Sequence, residues 1–494
     1  MQIATRTPKY VFHKIKSMKK LNQWMTAAIL FCGFQLFAAC TASQDNPAEP
    51  VKPEVNQDRQ AFEAEFSNSL QSVAEKMRFD AAKQAMTALE VFFDKLNDEA
   101  LKEQITNMMP AIINASSPVS VDALNEADLK MVNTCLNERF GMTADELKTT
   151  GGFFLCDAYN TLGTHKVTFK DGVATQDTSD GFVLEVIDGE GKSSSVTLKF
   201  KDERDGVRFF ALRLFHAVPV CIQLPQQVDI IVKTANGTVM NGSVMLTIAN
   251  ADSRYISFKS SDWTATATLN FEYQGRQESI VTSVNHTADH TFNAELGILS
   301  DGAEKFSLAI NGMNKPYSEE YINSDELKSL RDCGTFFAAS YEVLKTLKSS
   351  NVDQIEATLN NKLVLNASVS DVAGSLLALG NIRKLHGTQP GFAAIDQYTQ
   401  QLNDKISFTM GIKDTNVTGQ GALLTILKGN EETEYQPGIA FQFAGEQAPL
   451  ALLDRMTETD KANYSQLMTN FEELSRSFTK SLQAIQKKVN NIKF

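Results

Sequence analysis

The chain predicts an α+β fold: a large antiparallel β-meander covered by flanking α-helices, with a long C-terminal helix. Three observations carry this. The apolar period changes from about 3.6 residues to 2 near Gly151 and returns to helical spacing at Ser324. Thr264–Tyr273 alternates without a break: Ala265, Ala267, Leu269, Phe271 and Tyr273 face one way, and Thr264, Thr266, Thr268, Asn270 and Glu272 the other. Near the C-terminus Leu467, Phe471, Leu474, Phe478, Leu482, Ile485 and Val489 recur in steps of four and three, the apolar stripe of one helix over Thr459–Asn490.

Taken in order, residues 59–150 form a helical segment. Phe62, Phe66, Leu70, Val73 and Met77 make one stripe, which resumes through Leu89, Phe92, Phe93 and Leu96 and again through Leu101, Ile105 and Met108 before Pro110. A further helix spans Asp122–Phe140 and stops at Gly141; Thr143 and Glu146 have capping-box spacing. Residues 151–317 form the meander. Lys166–Lys170, Phe182–Ile187, Val196–Phe200 and Val207–Phe215 read as strands, followed by Ser243–Ile248, Arg254–Lys259, Thr264–Tyr273, Arg276–Asn285, Thr291–Leu299 and Lys305–Ile310. Asp171-Gly172, Gln274-Gly275 and Asp301-Gly302 supply hairpin turns. One dry and one wet face mark an antiparallel sheet, and its dry face needs a cover. Residues 318–404 are expected to provide helices over Ser324–Leu347, Val352–Asn361, Ser370–His386 and Phe392–Asp404. Residues 405–447 return to strands at Ile406–Ile412, Ala422–Leu427 and Ile439–Phe443, and residues 448–494 hold the C-terminal amphipathic helix. That helix either lies along the sheet or pairs with the similarly spaced Phe62–Met77 stripe.

Residues 1–39 are set apart as a leader. Lys14, Lys16, Lys19 and Lys20 precede an apolar run, Met25–Ala39, shorter than the ~20 residues of a membrane-spanning helix. Met18 offers an alternative start. The run ends Leu36-Phe37-Ala38-Ala39-Cys40, which resembles a bacterial lipobox, with Phe37 where leucine is usual. The resemblance implies cleavage before Cys40, acylation of its thiol and membrane attachment through that lipid, at the outer membrane of a diderm envelope. Residues 40–58 then serve as lipid anchor and flexible linker, since Thr41–Asp58 contains three prolines among small polar residues.

Residues 1–39 carry six Lys/Arg and no acid, so without them the formal charge moves from −12 to −18. Such a chain repels phosphate backbones, which argues against nucleic acid as a partner. With 43% hydrophobic residues and 31 Phe, it has ample apolar surface for a large core.

Candidate chemistry is sparse. Nucleophile-elbow, zincin and P-loop patterns are absent, so no catalytic residue is assigned. His286 and His290 flank Thr287-Ala288-Asp289 at a hairpin tip; two imidazoles and one carboxylate fall short of a supported metal site, and neither metal nor cofactor is expected. Cys135, Cys156, Cys221 and Cys333 read mainly as buried free thiols, disulfides being the alternative in an exported chain. The expected function is that of a non-catalytic cell-envelope lipoprotein making structural or protein contacts. A second reading is a binder of an apolar, lipid-like ligand between sheet and helices, with Ala265, Ala267, Leu269 and Phe271 as floor and Phe292 as wall. In outline a tall sheet holding helices resembles the half-barrels of lipoprotein carriers. A hydrolase of unrecognised type is the third reading.

Overall fold

The computed structural model describes residues 56–491 except 97, 150, 202–205, 211–219, 250–251, 259, 315–349, 386–390 and 428–434. The leader, Cys40, nearly all of the linker, the helix expected over Ser324–Leu347 with Cys333, and residues His216 and His386 lie outside the described residues. The chain divides into two compact units, one of Phe79–Asp289 with the stretch from Glu472, the other of His290–Phe471 with the stretch before Phe79.

Three helices come first: α1 (Gln57–Lys76), α2 (Asp80–Lys95) and α3 (Asp98–Asn114). They are followed by β1 (Ser116–Val119), α4 (Glu126–Phe140), α5 (Ala144–Lys148), β2 (Phe153–Cys156) and α6 (Ala158–Leu162). Next come β3 (His165–Lys170), β4 (Val173–Thr178), β5 (Phe182–Ile187), β6 (Ser193–Lys201), β7 (Val207–Phe210) and β8 (Val220–Leu224). The long strands are β9 (Gln227–Thr234), β10 (Gly237–Ile248), β11 (Trp263–Tyr273), β12 (Arg276–His286), β13 (Thr291–Ser300) and β14 (Ala303–Asn314). After β15 (Ser350–Leu359) and β16 (Leu363–Val369) stand α7 (Val372–Leu385) and α8 (Phe392–Asn403). The chain closes with β17 (Ile406–Ile412), β18 (Thr418–Leu427), β19 (Tyr435–Gln442), β20 (Leu450–Ala451) and α9 (Glu458–Asn491).

Each unit carries a largely antiparallel sheet of eight strands. In the first unit their order is β4-β3-β5-β6-β9-β10-β11-β12, and in the second they follow sequence order from β13 to β20. A separate small sheet runs β1-β2-β8-β7 in the first unit. The expected hairpins form for a local reason. Asp171-Gly172, Gln274-Gly275 and Asp301-Gly302 each take two successive positive φ values, the signature of a type I′ turn.

Three local expectations change. Val352–Asn361 is a strand, β15, rather than a helix. Asn360 and Asn361 both have positive φ (54° and 52°), making the tight turn to β16. Arg254–Lys259 leaves the sheet: Tyr255 makes only a bridge to Arg208, so β10 pairs directly with β11. Only Val207–Phe210 of the strand expected over Val207–Phe215 is seen, the remainder lying outside the described residues. The sheet is also not wholly antiparallel, because β3 and β5 run parallel. The short link between β4 and β5 crosses the start of β3, where Ser179 and Gly181 donate to the carbonyls of Thr164 and Gly163. Gly181 makes this crossing with φ +124°, and a Cβ there would meet the Leu198 carbonyl at 2.9 Å.

Within the second unit, α1 lies over β15, β16 and β17. Phe62 is buried against Phe443 and Phe441, with ring centroids 4.8 and 6.5 Å away. Beside them Arg455, its side chain 1% exposed, makes a two-pronged pair with Glu446 at 2.6 and 2.9 Å. It also donates to the Phe441 carbonyl at 2.6 Å and sits 5.0 Å from the Phe443 ring centre. Glu63 of α1 accepts from the same guanidinium at 3.4 Å, so one buried cation joins α1 to β19 and the turn after it. In this unit the first half of α9 follows α1: Asp460 accepts from Ser67 at 2.8 Å and Asn470 donates to the Met77 carbonyl at 3.0 Å.

In the first unit the second half of α9 runs along α2. Ser481 donates to the Met86 carbonyl at 2.9 Å, and Lys480 pairs with Glu90 at 2.9 Å. Of the C-terminal stripe, Leu467 and Leu474 are buried. Here α2 crosses β9 to β12, and Phe92, Leu96, Leu101 and Met108 cover Val167, Phe169 and Val186.

Removing Arg455 leaves the partly buried Glu446 with only Arg59, 3.9 Å away, as a cation, and leaves the Phe441 carbonyl without this donor. Arg455→Ala is expected to cost about 3–5 kcal/mol in chemical denaturation, far more than an exposed pair. The Arg455 guanidinium and the Phe443 N–H, working against burial, hold the Glu446 carboxyl below its ordinary 4.5. Its contribution is therefore full above pH 4.5 and lost as pH falls through the folded value. Glu446→Gln should flatten the acid limb of a melting-temperature profile.

Candidate functional site

Residues opposite one another in an antiparallel ladder share a face. The register of β10, β11 and β12 therefore sets out rows: Met240–Phe271–Glu278, Gly242–Leu269–Ile280, Val244–Ala267–Thr282, Leu246–Ala265–Val284 and Ile248–Trp263–His286. These rows make up the apolar face that α2 crosses. The other face is hydrogen-bonded and polar, with Asn270 bonded to Asn241 at 3.0 Å and to Ser279 at 2.8 Å, and Thr264 to Asn285 at 2.5 Å.

Both ends of the apolar face are closed. At one end Phe271 is 1% exposed and Phe478 of α9 meets its ring edge-on at 6.3 Å. Glu278, buried beside it, accepts the Ala82 N–H of α2 at 2.9 Å, and burial pushes its carboxyl pKa above the ordinary value. At the other end four rings form a column. Trp263 stacks on His286 at 5.5 Å and meets Phe258 at 5.8 Å, and Phe258 meets Phe209 at 6.0 Å. The indole N–H is held by the Phe258 carbonyl at 3.1 Å. The buried residues Val207, Phe209 and Ile256 pack against this column together with Leu246 and Ile248.

The rows between the two ends are only half-buried: Leu269, Ala267, Ala265, Leu246, Ile280, Thr282 and Val284, with Val244 42% exposed. Gly242 shapes this stretch. A Cβ on it would lie 2.2 Å from the Thr268 carbonyl and 2.8 Å from Cδ2 of Leu269, so the Leu269 side chain leans over β10. The two alanines then form the low line of the face, with Val244 and Leu246 on one side and Thr282 and Val284 on the other.

The structure thus brings Ala265, Ala267, Leu269 and Phe271 onto one face, but in different roles. Phe271 is core beneath α2 and α9 and offers no wall. Phe292 belongs to the other unit, where it is half-buried opposite Gly312. The ring column at Trp263 escaped the sequence reading. Its signal is the register that puts Trp263 opposite His286, and alternation within a single strand carries no register.

Groups suited to covalent chemistry are engaged in structure. Cys135, Cys156 and Cys221 form no disulfide with one another; Cys221 is buried and burial pushes its pKa up, which suppresses the thiolate. The Nδ1 of His286 faces the Ser261 carbonyl at 3.0 Å. Glu138 accepts from the hydroxyls of Ser257 and Ser260, and Asp128 from Ser253 at 2.9 Å and the Arg254 N–H at 3.1 Å, tying the loop between β10 and β11 to α4. Among the described residues no group of three His, Cys, Asp or Glu stands close enough to hold a metal ion, and no helix is long and apolar enough to cross a membrane. A shallow depression lined by Glu99, Lys102, Glu103, Thr106, Asn107 and Gly172 is open and largely polar. No family model, no curated protein and no solved structure matches the chain.

Gly242→Ala is expected to force the β10–β11 ladder apart at Thr268 and displace Leu269. It should cost about 1–3 kcal/mol, read from denaturant midpoints, where Gly275→Ala tests only the turn.

Proposed function

We propose that this chain is a lipid-anchored, non-catalytic protein of the cell envelope that holds an apolar ligand on the helix-bearing face of its sheet. The observation that supports the reading best is the half-buried apolar stretch Ala265, Ala267, Leu269, Val244 and Leu246, bounded by packed structure at both ends. Sites for apolar ligands are concave, mostly apolar and closed by packed walls. The groups in these rows carry no ionisable side chain, and the nearby His286 and Glu278 serve stacking and helix capping, so binding fits better than catalysis. The anchor rests on Leu36–Cys40, and the acidic balance of the body leaves attachment to the lipid rather than to a basic surface.

Two measurements test this. Ala267→Leu should abolish saturable binding of Nile red while the melting temperature holds or rises, because the side chain fills space left for a ligand. If this face is simply packed core, the same change lowers stability by about 1–3 kcal/mol and leaves dye binding where it was. For the anchor, intact mass of membrane-extracted protein should show an acylated Cys40, and Cys40→Ala should accumulate as an unlipidated precursor. An unmodified Cys40 in that fraction would remove the tether from the proposal.

A further inference from the structure

We infer that Asn236 is a self-modification site. In the folded chain its side-chain amide is lost to the main-chain nitrogen of Gly237, leaving aspartate and isoaspartate at the tip of the β9–β10 hairpin. The sequence holds three Asn-Gly pairs: Asn236-Gly237, Asn241-Gly242 and Asn311-Gly312. Each carries the chemistry, because glycine has no Cβ to hinder approach to its own nitrogen. The tertiary structure decides which pair can use it.

The step is an intramolecular amide exchange. The Gly237 nitrogen forms a bond to Cγ of Asn236 and gives up its proton. The Cγ–Nδ2 bond breaks, and Nδ2 leaves as ammonia with that proton. Water then opens the cyclic imide and returns a proton to the Gly237 nitrogen. Cleavage at Cγ leaves aspartate; cleavage at the main-chain carbonyl leaves isoaspartate, whose backbone runs through the former side chain. Only water is consumed and only ammonia is released.

Closing that ring requires rotation about the Asn Cα–C bond. A residue held in a ladder cannot make the rotation without breaking rungs to the strands on both sides. Asn241 pairs with Ile231 of β9 and Asn270 of β11, and its Oδ1 accepts from the Asn270 amide at 3.0 Å. The next residue, Gly242, is pressed so close to β11 that a Cβ would lie 2.2 Å from the Thr268 carbonyl. Asn311 pairs with Asn293 of β13 and Gln354 of β15. Its side chain accepts from Asn293 at 2.6 Å and donates to Gln354 at 3.4 Å.

Asn236 stands outside any ladder. With Ala235 it links β9 to β10, and both residues are exposed, as is Gly237. Gly237 has φ +123°, and nothing lies within 4 Å of the place its Cβ would take, so the tip is open to solvent. Gly237 faces Thr234 in the last rung of the hairpin, which can fray without disturbing the next. The Thr234 hydroxyl braces this rung weakly. It accepts the Asn236 N–H at 3.3 Å and donates to the Gly237 carbonyl at 3.4 Å, both long for hydrogen bonds.

The full chain is incubated for days in mildly alkaline buffer, folded in one sample and unfolded in urea in another, then digested and mapped by mass spectrometry. In the folded sample the peptide with Asn236 is expected to convert about tenfold faster or more than those with Asn241 and Asn311. Its products are two isomers of equal mass that separate on chromatography. In urea the three pairs are expected to convert at comparable rates. Isoelectric focusing of the intact folded chain should show an acidic band that grows with time and is missing in Asn236→Gln, whose longer side chain closes the ring far more slowly. Conversion of Asn241 or Asn311 as fast as Asn236 in the folded sample overturns the protection assigned to the ladders. The same order of rates in urea overturns the structural choice and traces it to local sequence. An Asn236 that stays intact in the folded chain overturns the site outright.

Discussion

The length of the strands is the constraint on which the rest depends. The eleven residues of β11 run about 37 Å, while a helix lying across a sheet covers about 10–12 Å of it. One layer of helix therefore dries only part of the apolar face. In the first unit α2 and the second half of α9 close the Phe271 end, and the Trp263–Phe258–Phe209 column with the small sheet closes the other. What stays half-buried between them follows from the mismatch of two element sizes. The alanines at 265 and 267 are the residues a sheet tolerates at such a place, because they expose little apolar area.

The buried polar groups support this arrangement. Asn470, Ser481 and Arg455 are buried, and each donates to a main-chain carbonyl: Met77, Met86 and Phe441. Buried polar groups placed this way fix the rotation of one element against another, since a slip would leave a donor and a carbonyl unpaired. Glu278 does the same for the start of α2, accepting the Ala82 N–H in the ladder's last covered row. It remains buried at the cost of a raised pKa, so the penalty of its charged form is present above the folded value and relieved as pH falls through it. Arg455 and Glu446 have the opposite dependence in the second unit. The two units should therefore respond differently to acid.

The fold was legible where one period dominated a long run. The stripe from Leu467 to Val489 and the alternation in Thr264–Tyr273 placed α9 and β11 to within a residue. Asp-Gly and Gln-Gly turns marked three hairpins because such pairs reach positive φ at both positions. The Asn360-Asn361 turn uses the same physics with a less familiar pair, and missing it turned β15 into an expected helix. Of the candidate site, Ala265, Ala267 and Leu269 share the face expected for them. The difference between Phe271 and Phe292, one sealed under α2 and α9 and one in a separate unit, lay beyond reach because both residues are Phe at alternating positions of a strand.

The sequence by itself determined the type of most long elements, the faces of the long strands, and the helix ends at Gly141 and Thr143. These are properties of a residue and its near neighbours: periodicity, φ preference, capping and charge. Only the tertiary structure decided which dry residues are covered and which are left half-open, where Arg455 finds Glu446, and how Trp263 comes to stack on His286. Those depend on strand register and on where a helix of fixed width lies along strands longer than itself, and neither quantity is written in any local stretch of the chain.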